Sequence, residues 1–381
     1  MPHPYFFLTS LAWNFGLGMT WLPVPLYAHA QGLSSAEIGA LFAFPVFVQA
    51  PLNLLGGAYT DRIGGRRILI WSSAAMSLTG LWFMFAQGFW MLMLGQLAMI
   101  LARASFWPAT WSMASELPGV RGIQLGRLNA VTNVGQIAGT VLSGFLLAAA
   151  GFTATFAALA AIGAVSVLAA LGTHRPALRP PGPVPSVIAA YRPLIRQPVI
   201  LYAMVCAYLS AVPFSLGTSF LPLLLADYQH SEEASGVLIS LRAVGSIAAS
   251  LLVARFVRTG ADAFWPVACG IAVAIGVALI PSVNHALPIG AWLLVMGGGS
   301  AAMTLYFQVT ISEASRPGER ASALALGGLG WSVSHLSTPL LMGFLADRYG
   351  LVTGFYVLGA FALACALAIA GMRRWAFSTP P

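Results

Sequence analysis

Apolar residues run through this chain in long stretches, broken by short clusters of charge, glycine and proline. Cutting at those clusters leaves twelve runs, roughly 5–28, 35–57, 68–86, 89–113, 124–149, 152–172, 198–225, 234–256, 264–282, 286–312, 321–344 and 351–372. A helix that crosses the hydrocarbon core of a membrane needs about 20 mostly apolar residues. Lipid offers the backbone no hydrogen bonds, so such runs must satisfy their own polar groups as helices. The pattern predicts an all-α integral membrane protein with 12 transmembrane helices. The longest polar interval, 173–197, carries Arg175, Arg179, Arg192 and Arg196 among Pro180, Pro181, Pro183 and Pro185. It is expected to be a linker between an N-terminal six-helix bundle, 1–172, and a C-terminal one, 198–381.

The two halves repeat each other at an offset of 199 residues. Gly18-Met19-Thr20-Trp21-Leu22-Pro23 returns as Gly217-Thr218-Ser219-Phe220-Leu221-Pro222. Pro118-Gly119-Val120-Arg121 returns as Pro317-Gly318-Glu319-Arg320, Gly144-Phe145-Leu146 as Gly343-Phe344-Leu345, and Gly151 as Gly350. Matches spread along the chain at one offset indicate an internal duplication. Two related membrane-embedded halves are the plan of a transporter.

Composition narrows the class. The chain is 59% hydrophobic and 7% charged, against about 25% charged in an average soluble protein. Its net charge of +8 comes from 18 arginines and no lysine. Those arginines lie in short loops rather than on one basic face, which excludes a nucleic-acid partner. Fifteen of the 18 fall in alternate loops and the C-terminal tail, while the opposite loops hold only Arg348. The positive-inside bias makes the arginine-rich side cytoplasmic, with both termini inside. The first run follows no basic segment or cleavage site and reads as a retained helix. Cys206, Cys269 and Cys365 lie inside apolar runs without ligand spacing, so no metal is expected. Alanine- and arginine-rich, lysine-free usage points to a GC-rich bacterial genome.

Between the second and third runs the chain reads Gly57-Ala58-Tyr59-Thr60-Asp61-Arg62-Ile63-Gly64-Gly65-Arg66-Arg67. This resembles the loop signature G-x-x-x-D-R-x-G-R-[RK] of the major facilitator superfamily, with Gly65 in place of a basic residue. Gly57 allows two helix ends to approach, Asp61 can meet an arginine or a helix N-terminus, and Gly64 permits a tight turn. Arg66 and Arg67 hold the loop on the cytoplasmic side. Arg103 is similar to the family's arginine in helix four. Gly135, Gly139 and Gly144 look like the glycines of its helix-five antiporter motif, although Thr140 stands where proline belongs and Ser143 where glycine does. Small-residue helix packing explains the same glycines. The second loop, Ala254 to Asp262, has lost the signature. The resemblance implies two six-helix bundles alternating access about a midplane cavity, a monomer, a small-molecule substrate, no cofactor, and a bacterial cytoplasmic membrane.

Ionisable residues within spans are functional suspects. Here they are Arg103, Arg242 and His335, while no Asp or Glu lies clearly inside a run. Two buried guanidiniums without carboxylates point to an anionic cargo. Simpler readings are a bond from Arg103 to backbone carbonyls at a helix break near Pro108, and snorkelling of Arg242 to the interface. At the 199 offset His335 corresponds to Gln136, and titration near neutral pH makes it a candidate proton-coupling residue. Asn14, Gln49, Asn53, Trp107, Asn129, Asn133, Tyr306, Gln308 and Trp331 complete a candidate cavity of mixed polarity with aromatic walls. Pro23, Pro25, Pro213 and Pro222 predict breaks in the first and seventh helices.

The loops are too short for a catalytic domain and no phosphate-binding glycine loop is present. An enzyme is therefore excluded and the driving energy must be a gradient. The reading is a secondary transporter of an amphipathic or anionic organic solute, with export and ion or proton coupling expected. A cationic drug antiporter, using Glu37 or Asp227, is the alternative. A transport-inactive sensor or scaffold is a third possibility, from another class.

Overall fold

The computed structural model describes residues 4–52, 63–118, 121–173, 194–253, 259–260, 263–315 and 320–378. All regular structure among them is helical. The helices are α1 Pro4–Trp21, α2 Pro23–Ala30, α3 Ser35–Ala43, α4 Gly65–Phe83, α5 Gly88–Glu116, α6 Arg121–Leu171, α7 Pro198–Ser219, α8 Leu221–Asp227, α9 Glu232–Val253, α10 Trp265–Leu279, α11 Ala286–Ala314, α12 Arg320–Gly327, α13 Leu329–Tyr349 and α14 Leu351–Ala376. Helix resumes after α3 at residues 46–52. Eight stretches among the described residues are long and apolar enough to cross a membrane.

Two of the expected proline breaks occur. The first run divides at Leu22, so that Pro23 opens α2, and the seventh divides at Phe220, with Pro222 in the first turn of α8. Proline costs nothing there, because the first N–H groups of a helix have no partner in any case. Pro213 and Pro25 behave differently from expectation. Pro213 lies inside an uninterrupted α7 and Pro25 inside α2. Pro108 likewise sits within a continuous α5, so the break expected there does not exist.

The fifth and sixth runs form one helical element, α6, of 51 residues. Straight, it would reach about 75 Å, more than twice the hydrocarbon thickness. It turns at Gly151, whose φ of 75° and ψ of −175° leave the helical region. Both arms then lie along α1. A side chain on Gly139 would collide with the Phe15 carbonyl, and one on Gly16 would meet Leu159 and Met76. A turn of a single residue is open only to a backbone free to take positive φ.

The chain separates into two compact units. One comprises Met1–Leu33, Phe44–Val184 and Gln229–Ser240, and the other Ser34–Ala43, Pro185–Tyr228 and Leu241–Pro381. Each unit therefore contains a short segment from the other half of the sequence. In the first, the start of α9 lies against α6, where Gly144 faces the Glu232 carbonyl and a Cβ on Gly236 would stand 2.9 Å from the Thr140 carbonyl. In the second, α3 lies against α13. There a Cβ on Gly343 would stand 2.5 Å from the Ser35 carbonyl, and Gly39 faces the Pro339 carbonyl. Gly144 and Gly343 are partners in the 199-residue repeat, as are Thr140 and Pro339. The duplication read from sequence thus reappears as a pair of matching helix crossings.

These crossings are backbone against backbone, so a side chain at one of them forces the helices apart. Gly139→Leu is expected to lower stability by about 1–3 kcal/mol, through overpacking against Phe15. Gly126→Leu, on the same helix with nothing within 4 Å, is the matched control and leaves the melting temperature nearly unchanged. Thermal unfolding of the two variants in detergent checks the contrast.

Candidate functional site

In the first unit, Arg103 is half-buried on α5 and one of its terminal nitrogens donates to Gln49 Oε1 at 2.6 Å. The partner is a side-chain amide, not the backbone carbonyl expected near Pro108. Arg103 Nε is buried without a hydrogen-bond partner among the described residues. One turn further along α5, Trp107 packs edge-on to Trp13 at 6.1 Å, and Phe106 stacks on Trp13 at 3.9 Å. The Trp13 indole is fully buried, and its N–H has no partner among the described residues. Its neighbour Asn14 accepts from Gln136 Nε2 at 3.0 Å and donates to the Ser10 carbonyl at 2.8 Å. Asn133 is half-buried and donates to the Asn129 carbonyl of its own helix at 2.9 Å.

The glycines of the helix-five motif have structural positions. A Cβ on Gly135 would stand 2.7 Å from the Leu11 carbonyl, Gly139 meets Phe15, and Gly144 meets Glu232. Thr140, in the place of the motif's proline, donates to the Gln136 carbonyl at 2.8 Å. At all three glycines a side chain would meet a neighbouring backbone, so each permits close helix packing.

In the second unit, Arg242 of α9 is only 6% exposed. Its guanidinium carbon lies 4.9 Å from the centre of the Phe214 ring, so the side chain turns into the helices instead of snorkelling outwards. Gly217, one turn beyond Phe214 on α7, makes the room, since a Cβ there would stand 3.3 Å from Arg242 Nε. Phe214 also packs on Trp331 at 5.9 Å and on His335 at 5.3 Å, while Trp331 and His335 stack at 5.3 Å. His335 Nδ1 lies 2.9 Å from the Trp331 carbonyl, and the Trp331 indole donates to Ser210 Oγ at 2.9 Å. Four side chains thus form one aromatic and cationic cluster. Tyr306 is elsewhere in this unit, fully buried with its ring 6.3 Å from that of Tyr202. Sequence reasoning missed Phe214, Ser210 and Trp13. Ser210 and Phe214 are four residues apart, as are Trp331 and His335, and that helical spacing was the available signal.

Of the loop signature, Gly57, Asp61 and Arg62 lie outside the described residues, as does Asn53. Gly64 takes the expected tight turn with φ of 91°, immediately before α4. Arg66 donates to the Leu171 carbonyl, and Arg67 is exposed. At Gly65, which stands in place of the usual basic residue, a Cβ would lie 2.6 Å from Met113 Sδ.

The acidic residues take the opposite arrangement to Arg103 and Arg242. All seven in described segments lie within one turn of a helix end: Glu37, Glu116, Asp227, Glu232, Glu233, Glu313 and Asp347. Glu37 accepts from the Ser34 N–H at 2.8 Å, and Asp227 is exposed.

A family model described as Major Facilitator Superfamily matches residues 6–313. Among solved structures, a bacterial homologue of the human lysosomal transporter Spinster superposes with a TM-score of 0.75 at 16% identity, over 99% of this chain and 98% of that one. The nucleoside transporter NupG superposes with a TM-score of 0.78 at 14% identity, over 98% and 99%. At such identities the likeness speaks for the fold. The chain belongs to the major facilitator superfamily. It is a multi-pass membrane transporter of a small molecule, not an enzyme.

Removing the amide that holds Arg103 leaves a donor of this half-buried guanidinium without its partner. Gln49→Ala is therefore expected to cost roughly 1–3 kcal/mol. Gln49→Glu supplies a charged partner and is expected to retain or raise the melting temperature, read by intrinsic tryptophan fluorescence.

Proposed function

We propose that this protein is a secondary active transporter for an anionic or amphipathic organic solute, moved outward and coupled to protons or another ion. The observation that carries the reading is the placement of charge. Arg103 lies within its helix with the uncharged amide of Gln49 as its partner, while every acidic residue in the described segments lies at a helix end. A buried cation is costly until an anion meets it. A cargo carboxylate or phosphate would supply that charge, and the indole and phenyl faces would receive its apolar part. Residues 1–172 and 198–381 are the two bundles that rock against one another, and His335 is the candidate proton carrier. The arginine-rich loops and both termini are assigned to the cytoplasm of a bacterial inner membrane, and the working unit to a monomer.

A ligand stabilises the state it binds by RT ln(1 + [L]/Kd), about 2.7 kcal/mol at a hundredfold excess over Kd. Purified protein screened against amphipathic anions and cations is expected to rise in melting temperature with anions. The rise is expected to vanish in Arg103→Ala or Arg242→Ala. Gln49→Glu, which neutralises Arg103 while preserving the fold, is expected to lose the anion response as well. A rise with cations that survives both arginine variants overturns the anion reading in favour of a cationic drug antiporter. Rates of uptake into proteoliposomes for the stabilising compounds separate transport from mere binding.

A further inference from the structure

The residues Gly343-Phe344-Leu345-Ala346-Asp347-Arg348-Tyr349-Gly350 repeat the pattern of Gly57-Ala58-Tyr59-Thr60-Asp61-Arg62-Ile63-Gly64: glycine, three residues, Asp-Arg, one residue, glycine. The closing glycines share a backbone conformation. Gly64 has φ 91° and ψ 130°, Gly350 has φ 86° and ψ 155°, and each immediately precedes a helix. The G-x-x-x-D-R-x-G part of the signature is thus present twice, the second time between α13 and α14 and without the basic residues after it, at the end that the arginine pattern assigns outside. A third segment, Gly144 to Gly151, keeps both glycines but has Ala148-Ala149 where the others have Asp-Arg.

The second copy is bonded to α3. Gly343 brings α13 against the Ser35 backbone, and one turn later Asp347 reaches the start of α3. Its Oδ1 accepts the Ser35 N–H at 2.8 Å and its Oδ2 the Ala36 N–H at 2.9 Å. A helix start leaves its first N–H groups unpaired and carries partial positive charge, so a carboxylate with both oxygens engaged is held firmly there. The next donor, Glu37 N–H, goes to Ser34 Oγ at 3.2 Å within the capping box of α3 itself. The start of α3 is therefore shared between its own chain segment and α13. The matching crossing of α6 and α9 has Ala148 in the place of Asp347, and the start of α9 is served locally, with the Ala234 N–H on Ser231 Oγ at 3.3 Å.

We propose that Gly343–Gly350 is a latch, in which the Asp347 carboxylate holds the first turn of α3 and must release it before the two halves of the sequence part at this end. Asp347 is a positioning residue in this scheme and touches no cargo. The inference rests on the transporter reading but not on the nature of the solute, because its test uses none.

The test uses full-length protein in proteoliposomes, with Cys206, Cys269 and Cys365 replaced by serine. A single reporter cysteine stands at Ala43, which is fully buried one turn beyond Gly39 on α3. A membrane-impermeant maleimide reads its exposure. Asp347→Ala is expected to raise the labelling rate about tenfold, with Asp347→Asn intermediate, since loss of a charge-assisted pair shifts a two-state equilibrium. Glu37→Gln loosens α3's own cap without touching α13 and is expected to leave the rate unchanged. Labelling at the parent rate in both Asp347 variants overturns the proposal. Equal acceleration by Glu37→Gln overturns it too, since simple fraying of α3 would then explain the result. A folded, monodisperse Asp347→Asn protein keeps the test valid if Asp347→Ala fails to fold.

Discussion

Helices in lipid gain nothing by hiding apolar surface from one another, so what brings them together is the closeness their backbones can reach. In this protein that closeness comes from glycine. Gly18 meets Gln136, Gly139 meets Phe15, Gly245 meets Leu294 and Gly330 meets Met204, each through a carbonyl oxygen. The same device positions the charge. Gly297 receives the backbone carbonyl of Arg242, which seats α9 on α11, and Gly217 clears the space into which the guanidinium turns. The cluster of Phe214, Trp331, His335 and Arg242 is therefore a consequence of small residues that touch none of its rings.

Charge follows a second constraint. Carboxylates at helix starts find unpaired N–H groups, as Glu37 does with Ser34 and Asp347 does with Ser35 and Ala36. Arg103 takes the Gln49 amide oxygen and Arg242 lies over the Phe214 ring. Acidic residues in the described segments thus gather at helix ends, while Arg103 and Arg242 stand within their helices.

Much of this was legible in the sequence. The helices followed the apolar runs, because bilayer thickness sets their length independently of what they pack against. Breaks at Pro23 and Pro222 were legible, while those expected at Pro213 and Pro108 do not form, since neighbouring helices can hold a proline-bearing helix continuous. The candidate residues Asn14 and Gln136 proved to be bonded to each other, and Trp331 and His335 to be stacked. The partners of Arg103 and Arg242 lie 54 and 28 residues away along the chain, and no local pattern names a partner at such separation. The second Asp-Arg element stands in the sequence at Gly343 to Gly350, without the run of arginines that marks the first.

The single-residue turns at Gly151 and Gly350 bear on how the chain enters the membrane. Each joins two apolar helices with almost no polar segment between them. A span that ends in a long hydrophilic loop must carry that loop across the bilayer. Here the tip between the two helices is one glycine, and for the Gly350 turn the adjoining Asp347-Arg348-Tyr349. The Gly151 pair can pass into lipid as a preformed hairpin, its backbone already satisfied and its tip nearly free of solvation cost, whereas the Gly350 pair carries the charged Asp347 and Arg348 at its tip. The single-glycine turn is thus the same device in both halves of the duplication, with a neutral tip in the first and a charged one in the second.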